Sequence, residues 1–286
     1  MLDTQLNLYI SDINVAVVRK IASNGIVSTV AGTGVASPAA TATNGDGGFA
    51  ADATLNVPSG LCLSHPTLYI VDRYNNRIRQ VDLTSSIITT LAGSGVASLV
   101  DNTGTSATFN LPVACAFNTS STLVISDANN NAVRAIQIST RVVTTIANAP
   151  GPHGIWIDAS YTIYVSRWST GGIYRRRAWE TGNFAIWVGS DTASGAVEGV
   201  GTNARLTEPF FITGDTSGYL YVGSEGGNRV YRIEVSTLTM TFFAGNGTAG
   251  NSGDGLTPLS ATFNRPEGVV LDEEGNFYVG QRGLVR

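Results

Sequence analysis

The side chains able to do chemistry are few and scattered. There are two histidines, His65 and His153, in 286 residues. Zinc catalysis wants three protein ligands and an open position, and His65, in "LSHPTL", reads as an exposed turn residue. His153, in "GPHGIWID", stands at the start of an apolar run of strand length, where it is a candidate binding residue. Glu267, Glu208 and Phe210 flank prolines at comparable places. A lone Glu at a strand start is ordinarily solvated. The stretch "NGDGGFAADATLN" (44–56) resembles a metal loop at first sight, but Asp46 and Asp52 lack the alternating oxygens and closing glutamate of a calcium loop. No G-x-S-x-G elbow, P-loop or Cys-His pair is present. No catalytic residue, metal or cofactor is therefore assigned.

Composition points to a scaffold of strands and tight turns. Charged residues make up 13% and glycines number 33, against roughly 25% charged in ordinary globular chains. The net charge of -4 gives no general attraction to phosphate backbones or anionic membranes. No apolar run reaches the ~20 residues that span a bilayer. Nucleic acid and membrane insertion are not expected.

The elements that must position these residues recur. "LYISDINVAVVRKIASNGIVSTVAG" (8–32) is echoed by "LYIVDRYNNRIRQVDLTSSIITTLAG" (68–93) and "LVISDANNNAVRAIQISTRVVTTIAN" (123–148). A degenerate copy is "IYVSRWSTGGIYRRRAWETGNFAIWVG" (163–189), a fifth is "LYVGSEGGNRVYRIEVSTLTMTFFAG" (220–245), and "FYVGQRGLVR" runs to Arg286. Five copies are preceded by a proline and an apolar run: "VPSGLCL", "LPVACAF", "GPHGIWI", "EPFFITG" and "RPEGVVL". Proline suits a strand start, where its missing N–H breaks no ladder bond. Asn and Gly in "YNNR", "NNNA" and "EGGNR" suit tight hairpin turns. Each copy thus reads as four short antiparallel strands, too small to bury both faces alone. The equivalent positions Asp12, Asp72, Asp127, Arg167, Ser224 and Gln281 lie 60, 55, 40, 57 and 57 residues apart, so the length variation falls in the connectors.

The pattern "P-x-G-h-h-h-D … LYIVDRYNNRIRQV" resembles the NHL repeat, with copies near 1–34, 57–95, 111–150, 151–190, 208–247 and 265–286. The resemblance implies an all-β chain: one six-bladed β-propeller of four-stranded antiparallel blades, the first and last incomplete. In such propellers Gly-Asp-Gly connectors recur as structural loops, and 44–56 reads as one of them. Related enzymatic propellers hold zinc by several histidines, and "GPHGI" is similar to the repeats of streptogramin lyases, whose further histidines have no counterpart in this chain. The resemblance therefore implies a non-catalytic interaction or assembly scaffold. The alternative is a metal-assisted hydrolase or lyase with its site at the channel mouth around His153, Glu267 and Phe210.

The fourth copy departs most from the pattern. Its Arg167, Trp168, Tyr174, Arg176 and Trp179 are of the types enriched at protein interfaces and make a candidate interaction surface. Alternation along the third strand sends Arg175 and Arg177 to one side and Arg176 to the other. Cys62 and Cys115 are expected as two separately buried small hydrophobes, a bridge between them being the alternative. Two sequons, at Asn118 and Asn246, are expected in turns or connectors and, with the Ser/Thr/Gly-rich composition, suggest an extracellular or surface protein. The first copy lacks most of its innermost strand and the last stops near its third, the marks of a fragment of a longer chain. Flanking sequence, or a neighbour adding a strand and propagating a filament, is expected to complete them. Partners are accordingly expected to be proteins, or further copies, meeting exposed blade edges.

Overall fold

The computed structural model describes residues 1–36 and 44–286. It is an all-β, six-bladed β-propeller fold, and its six main sheets follow one another along the chain, each a blade. The chain divides into two compact units, Met1–Asn148 with blades 1–3 and Ala149–Arg286 with blades 4–6.

Blade 2 shows the unit in full: Pro58–Ser64, Thr67–Asp72, Arg77–Asp82 and Ile87–Ala92, antiparallel in chain order. Blades 3 and 4 repeat it with Pro112–Thr119 to Val143–Asn148 and Pro152–Ile157 to Ala185–Gly189. Blade 5 runs from Pro209–Gly214 to Thr239–Ala244 and gains a fifth short strand, Gly199–Val200, from the connector before it. Blades 1 and 6 have three strands each, as the sequence leads one to expect.

The apolar residues of adjacent blades close on one another. Tyr69, Val71, Ile78 and Leu91 of blade 2 pack with Leu123, Ile125 and Ile136 of blade 3. Tyr164, Ile173 and Trp187 of blade 4 pack with Ile212, Leu220 and Tyr231 of blade 5. A blade is thus stable only through its neighbour. Neighbouring inner strands come so close that a Cβ on Gly154 would lie 2.2 Å from the Phe210 carbonyl oxygen. A side chain is excluded there by backbone, not by a movable neighbour.

The asparagine turns do more than reverse the chain. Asn76, Asn131 and Asn228 take φ of 50°, 51° and 49°, values Asn tolerates better than most residues. The Oδ1 atoms of Asn76 and Asn228 accept from the Leu111 and Arg265 N–H groups ahead of the next blade, at 2.8 and 3.1 Å. Turn chemistry and blade-to-blade latching are one device.

The cysteine expectation is corrected. Cys62 and Cys115 form a disulfide, with Cα atoms 6.1 Å apart. Cys62 pairs with Tyr69 while Cys115 pairs with Ile125, the partner position of Leu61 in blade 2. The two thiols therefore occupy positions one residue out of step, and the lateral packing of the inner strands brings them together. Asn118 is also displaced from expectation: it lies within the strand Pro112–Thr119, its Oδ1 atom buried. Asn246 stands exposed in a connector.

Candidate interaction site

The connector at 44–56 is a strut. Asp46 reaches the fully buried Arg79 at 2.8 Å, and Arg79 also bonds the equally buried Asp72 at 3.2 Å. Blade 3 repeats the triad: Arg134 lies 2.8 Å from Asp127, and Asp101 of the connector bonds the same guanidinium at 2.6 Å. A buried arginine needs this many acceptors, since an unpaired charge there costs several kcal/mol. Burial pushes the Asp72 and Asp127 carboxyls up, against the pull of their Asn and Arg partners.

In blades 4 and 5 the same positions change. Arg167 stands where blades 2 and 3 have Asp72 and Asp127, and Tyr174 where they have Arg79 and Arg134. The Tyr174 hydroxyl and the Arg167 guanidinium both meet Asp191, the latter at 3.5 Å. Tyr174 is thereby buried at 3% exposure and presents no surface, contrary to its expected place in the interaction patch. Blade 5 has Ser224, whose hydroxyl donates to the Thr207 carbonyl, and the buried Tyr231.

The residues directly after these positions build the site. Trp168, next after Arg167, stacks on His153 with ring centroids 6.0 Å apart. Phe210 meets His153 edge-on at 5.5 Å, and Phe211 meets Phe210 at 5.1 Å. Glu225, next after Ser224, accepts from Trp168 Nε1 at 2.8 Å and from Arg265 Nε at 2.7 Å. That bond, with the charges of Glu225, Glu208 and Glu267, holds the Arg265 guanidinium above its usual value. His153 Nδ1 lies 3.1 Å from the Gly151 carbonyl oxygen.

All of these groups stand at one end of the sheets in the second unit. Pro152 pairs with Arg167 and Pro209 with Ser224, so an inner-strand start always abuts a second-strand end. The rim therefore carries four aromatic rings, an arginine and carboxylates, buried or half-buried and tied into a network. His153, Phe210 and Trp168, which the sequence assigns to two separate surfaces, belong together. Glu267 contributes by charge and by its carbonyl oxygen, which accepts from Phe211 N at 3.2 Å.

Arg176 and Trp179 lie elsewhere on blade 4. Arg176 Nε donates to the Gly182 carbonyl at 2.9 Å, and Trp179, 69% exposed, lies beside Arg177. Sequence reasoning missed Glu225 and Arg265, which reach the aromatic group from 57 and 97 residues beyond Trp168. Part of the signal was present: Glu225 follows Ser224 as Trp168 follows Arg167, and Arg265 precedes its proline as Gly151 and Glu208 do.

Among the described residues no three His, Cys, Asp or Glu side chains gather to hold a metal, and no helix is long and apolar enough to cross a membrane. A hollow of about 450 Å³ lies in the first unit, between Tyr9, Lys20, Phe49 and Leu83. Thr29, Asp52 and Ser86 also line it, but it is open, and the rim, whose groups bond one another, is the better candidate.

No family model matches the chain. It is 31% identical over 275 residues to NHL repeat-containing protein 2 of Bos taurus, an alignment covering 80% of this chain and 38% of the relative. The human protein of that name is 30% identical over 279 residues, again covering 80% and 38%. The chain thus spans well under half the length of these relatives. Among solved structures, an auxiliary nutrient binding protein of Bacteroides thetaiotaomicron superposes with a TM-score of 0.75 at 20% identity, over 99% of this chain and 65% of that one. A virginiamycin B lyase of Staphylococcus aureus, solved with quinupristin, gives 0.60 at 14% identity over 98% and 75%. At such identities these two structures speak for the fold alone.

Proposed function

Because the chain belongs to the NHL-repeat family of six-bladed β-propellers, we propose that it is a non-catalytic protein-interaction module whose contact surface is the rim of blades 4–6. One observation carries the reading: His153, Trp168, Phe210, Glu225 and Arg265 form a single half-buried network at one sheet end. Trp and Arg are the residues that dominate interface energetics, and in this network they are held rigid by packing and by a shared carboxylate. The partner is a protein.

A photo-crosslinking amino acid at the exposed Ser169, beside Trp168, tests this. Discrete adducts in the native source, lost in Trp168→Ala and Arg265→Ala, are expected. Equal adducts from the same group placed at Val27, on the first unit, overturn it.

The Cys62–Cys115 disulfide supports an oxidising compartment, hence an extracellular or surface location, because such bonds are rare where thiols are kept reduced. Asn246 is the sequon disposed to carry a glycan there. Peptide mass mapping of native material reads both. Filament assembly through blade edges is the stronger form of the scaffold reading, and regular polymers in electron micrographs are its readout.

One observation favours a second reading, a small-molecule hydrolase or lyase: an imidazole and several carboxylates converge on the rim. Turnover of an ester or lactone panel, abolished by His153→Ala and by a chelator, distinguishes it from binding alone.

A further inference from the structure

The connectors do a second job in three blades. Phe49 bridges Ile87 on the outer strand of blade 2, with the Ile88 N–H donating to the Gly48 carbonyl at 3.1 Å. Thr103 bridges Val142 on blade 3, and the Val143 N–H donates to the Asn102 carbonyl at 2.8 Å. Gly199–Val200 pairs with Met240 and Thr239 on blade 5. Each outer edge is thus partly closed by a short extended segment, as exposed strand edges generally must be.

Among the described residues, blade 4 has no such segment. Only Ala149, Pro150 and Gly151 separate the last strand of blade 3 from Pro152, which is why the repeat spacing falls to 40 at that point. Among the described residues no strand or bridge lies beyond Ala185–Gly189, the outermost strand of its sheet. Gly182, Asn183 and Ala185 on the approach are exposed.

The covering segments also show what the edge accepts. Two of them present an acid to an outer-strand amide: Asp101 Oδ2 accepts from Thr145 N at 2.9 Å, and Glu198 Oε1 from Phe242 N at 2.8 Å. Thr145 and Phe242 pair with Arg134 and Tyr231, and Ile186 holds that place in blade 4, opposite Tyr174. The neighbouring charge has the matching sign. Arg175 pairs with Ala185 and lies beside Trp187, Arg176 reaches Gly182, and Arg177 bonds Glu180; against these stand Asp158, which acts on Arg175, and Asp191, which is already engaged by Tyr174 and Arg167.

We infer that the outer edge of blade 4 is a docking edge for an acidic, extended segment of a partner protein. That segment adds as a short strand in the place the connectors take in blades 2, 3 and 5. Backbone bonds give the affinity, and an acid opposite Ile186, in the field of three arginines, gives the preference. The inference rests on the reading of the chain as an interaction module but not on the aromatic rim, so adducts at Ser169 and events at this edge succeed or fail separately.

The chain's own connector serves as the probe. A synthetic peptide of residues 98–107, "SLVDNTGTSA", is titrated into the full chain while backbone amide shifts and hydrogen exchange are followed. Shifts and slowed exchange confined to residues 182–189 are expected. Replacing the peptide's Asp with Asn is expected to weaken binding about tenfold, and proline at its Gly104 position to abolish it, since the Gly104 N–H is the segment's donor to the blade 3 edge, reaching the Arg141 carbonyl at 2.8 Å, and proline has none to give. Arg176→Glu in the protein weakens it as well. No perturbation up to the peptide's solubility limit, equal binding of the proline peptide, or shifts elsewhere overturns the inference. So does concentration-dependent self-association moving the same amides without peptide, which makes a second copy the occupant.

Discussion

Blades 2 and 3 and blades 4 and 5 use the end of the second strand in opposite ways. In the first pair the strand ends in Asp72 or Asp127, fully buried against Arg79 or Arg134, and the connector's Asp46 or Asp101 completes the triad. In the second pair it ends in Arg167 or Ser224, the internal ion pair is replaced by Tyr174 or Tyr231, and the next residues are Trp168 and Glu225. One blade plan can thus serve as framework or as surface according to a few positions at one sheet end.

The largest effect expected from breaking that contrast is in blade 3. Asp127→Ala removes the buried carboxylate facing Arg134 and leaves only the half-exposed Asp101 to answer its charge, and urea denaturation should show a loss of about 3–5 kcal/mol. Tyr174→Phe, at the place in blade 4 that Arg134 holds in blade 3, removes a hydroxyl that donates to Asp191 and accepts from Arg167, and should cost about 1 kcal/mol. A comparable loss for both variants erases the distinction.

Next comes the disulfide, which links only the framework blades. Replacing Cys62 and Cys115 together with alanine should lower stability by about 2–4 kcal/mol, since a bond across 53 residues closes a long loop of the unfolded chain. An unchanged denaturation midpoint would remove the staple from the account.

The pH dependence sharpens the comparison further. Burial pushes the Asp101 carboxyl up, but the Thr145 N–H, Arg134 and the Thr145 hydroxyl bond its charged form and hold it below its ordinary value. Its contribution is therefore present above the unfolded carboxylate range and lost as pH falls through the lower folded value. Asp127 has the opposite sign: with its folded value raised, its contribution is present at low pH and lost as pH rises through that value. Asp101→Asn should flatten the acid limb of the stability curve, whereas an unaltered limb would show that the connector acid is not a strut.

The blades were legible because strand period, proline starts and asparagine turns all point the same way in each copy. Asp72 and Arg79 sit seven residues apart in the most regular copy, yet their burial could not be read from spacing, since it depends on connector residues more than 30 positions away. The disulfide was illegible for a similar reason: it needs the lateral register of two inner strands, which the repeat alone leaves open. Half of the rim was legible in His153, Phe210 and Trp168, whose residue types stand out. Glu225 and Arg265 were passed over because a Glu and an Arg in a turn are ordinary until a tryptophan N–H and a guanidinium converge on one carboxylate. The aspartate that closes the repeat pattern was visible but not its role: between the first and second strands of blades 4, 5 and 6, Asp158, Asp215 and Asp272 each accept from N–H groups two and four residues on, and from a tyrosine hydroxyl six residues on.

The most direct test of framework against surface is a pair of urea-unfolding midpoints, for Asp127→Ala and Trp168→Ala, measured beside the unaltered chain. A large fall is expected for Asp127→Ala and a shift of less than about 1 kcal/mol for Trp168→Ala, whose side chain is half-buried. A Trp168→Ala midpoint as low as that of Asp127→Ala would contradict this expectation, because the rim would then be holding the blades together rather than facing a partner.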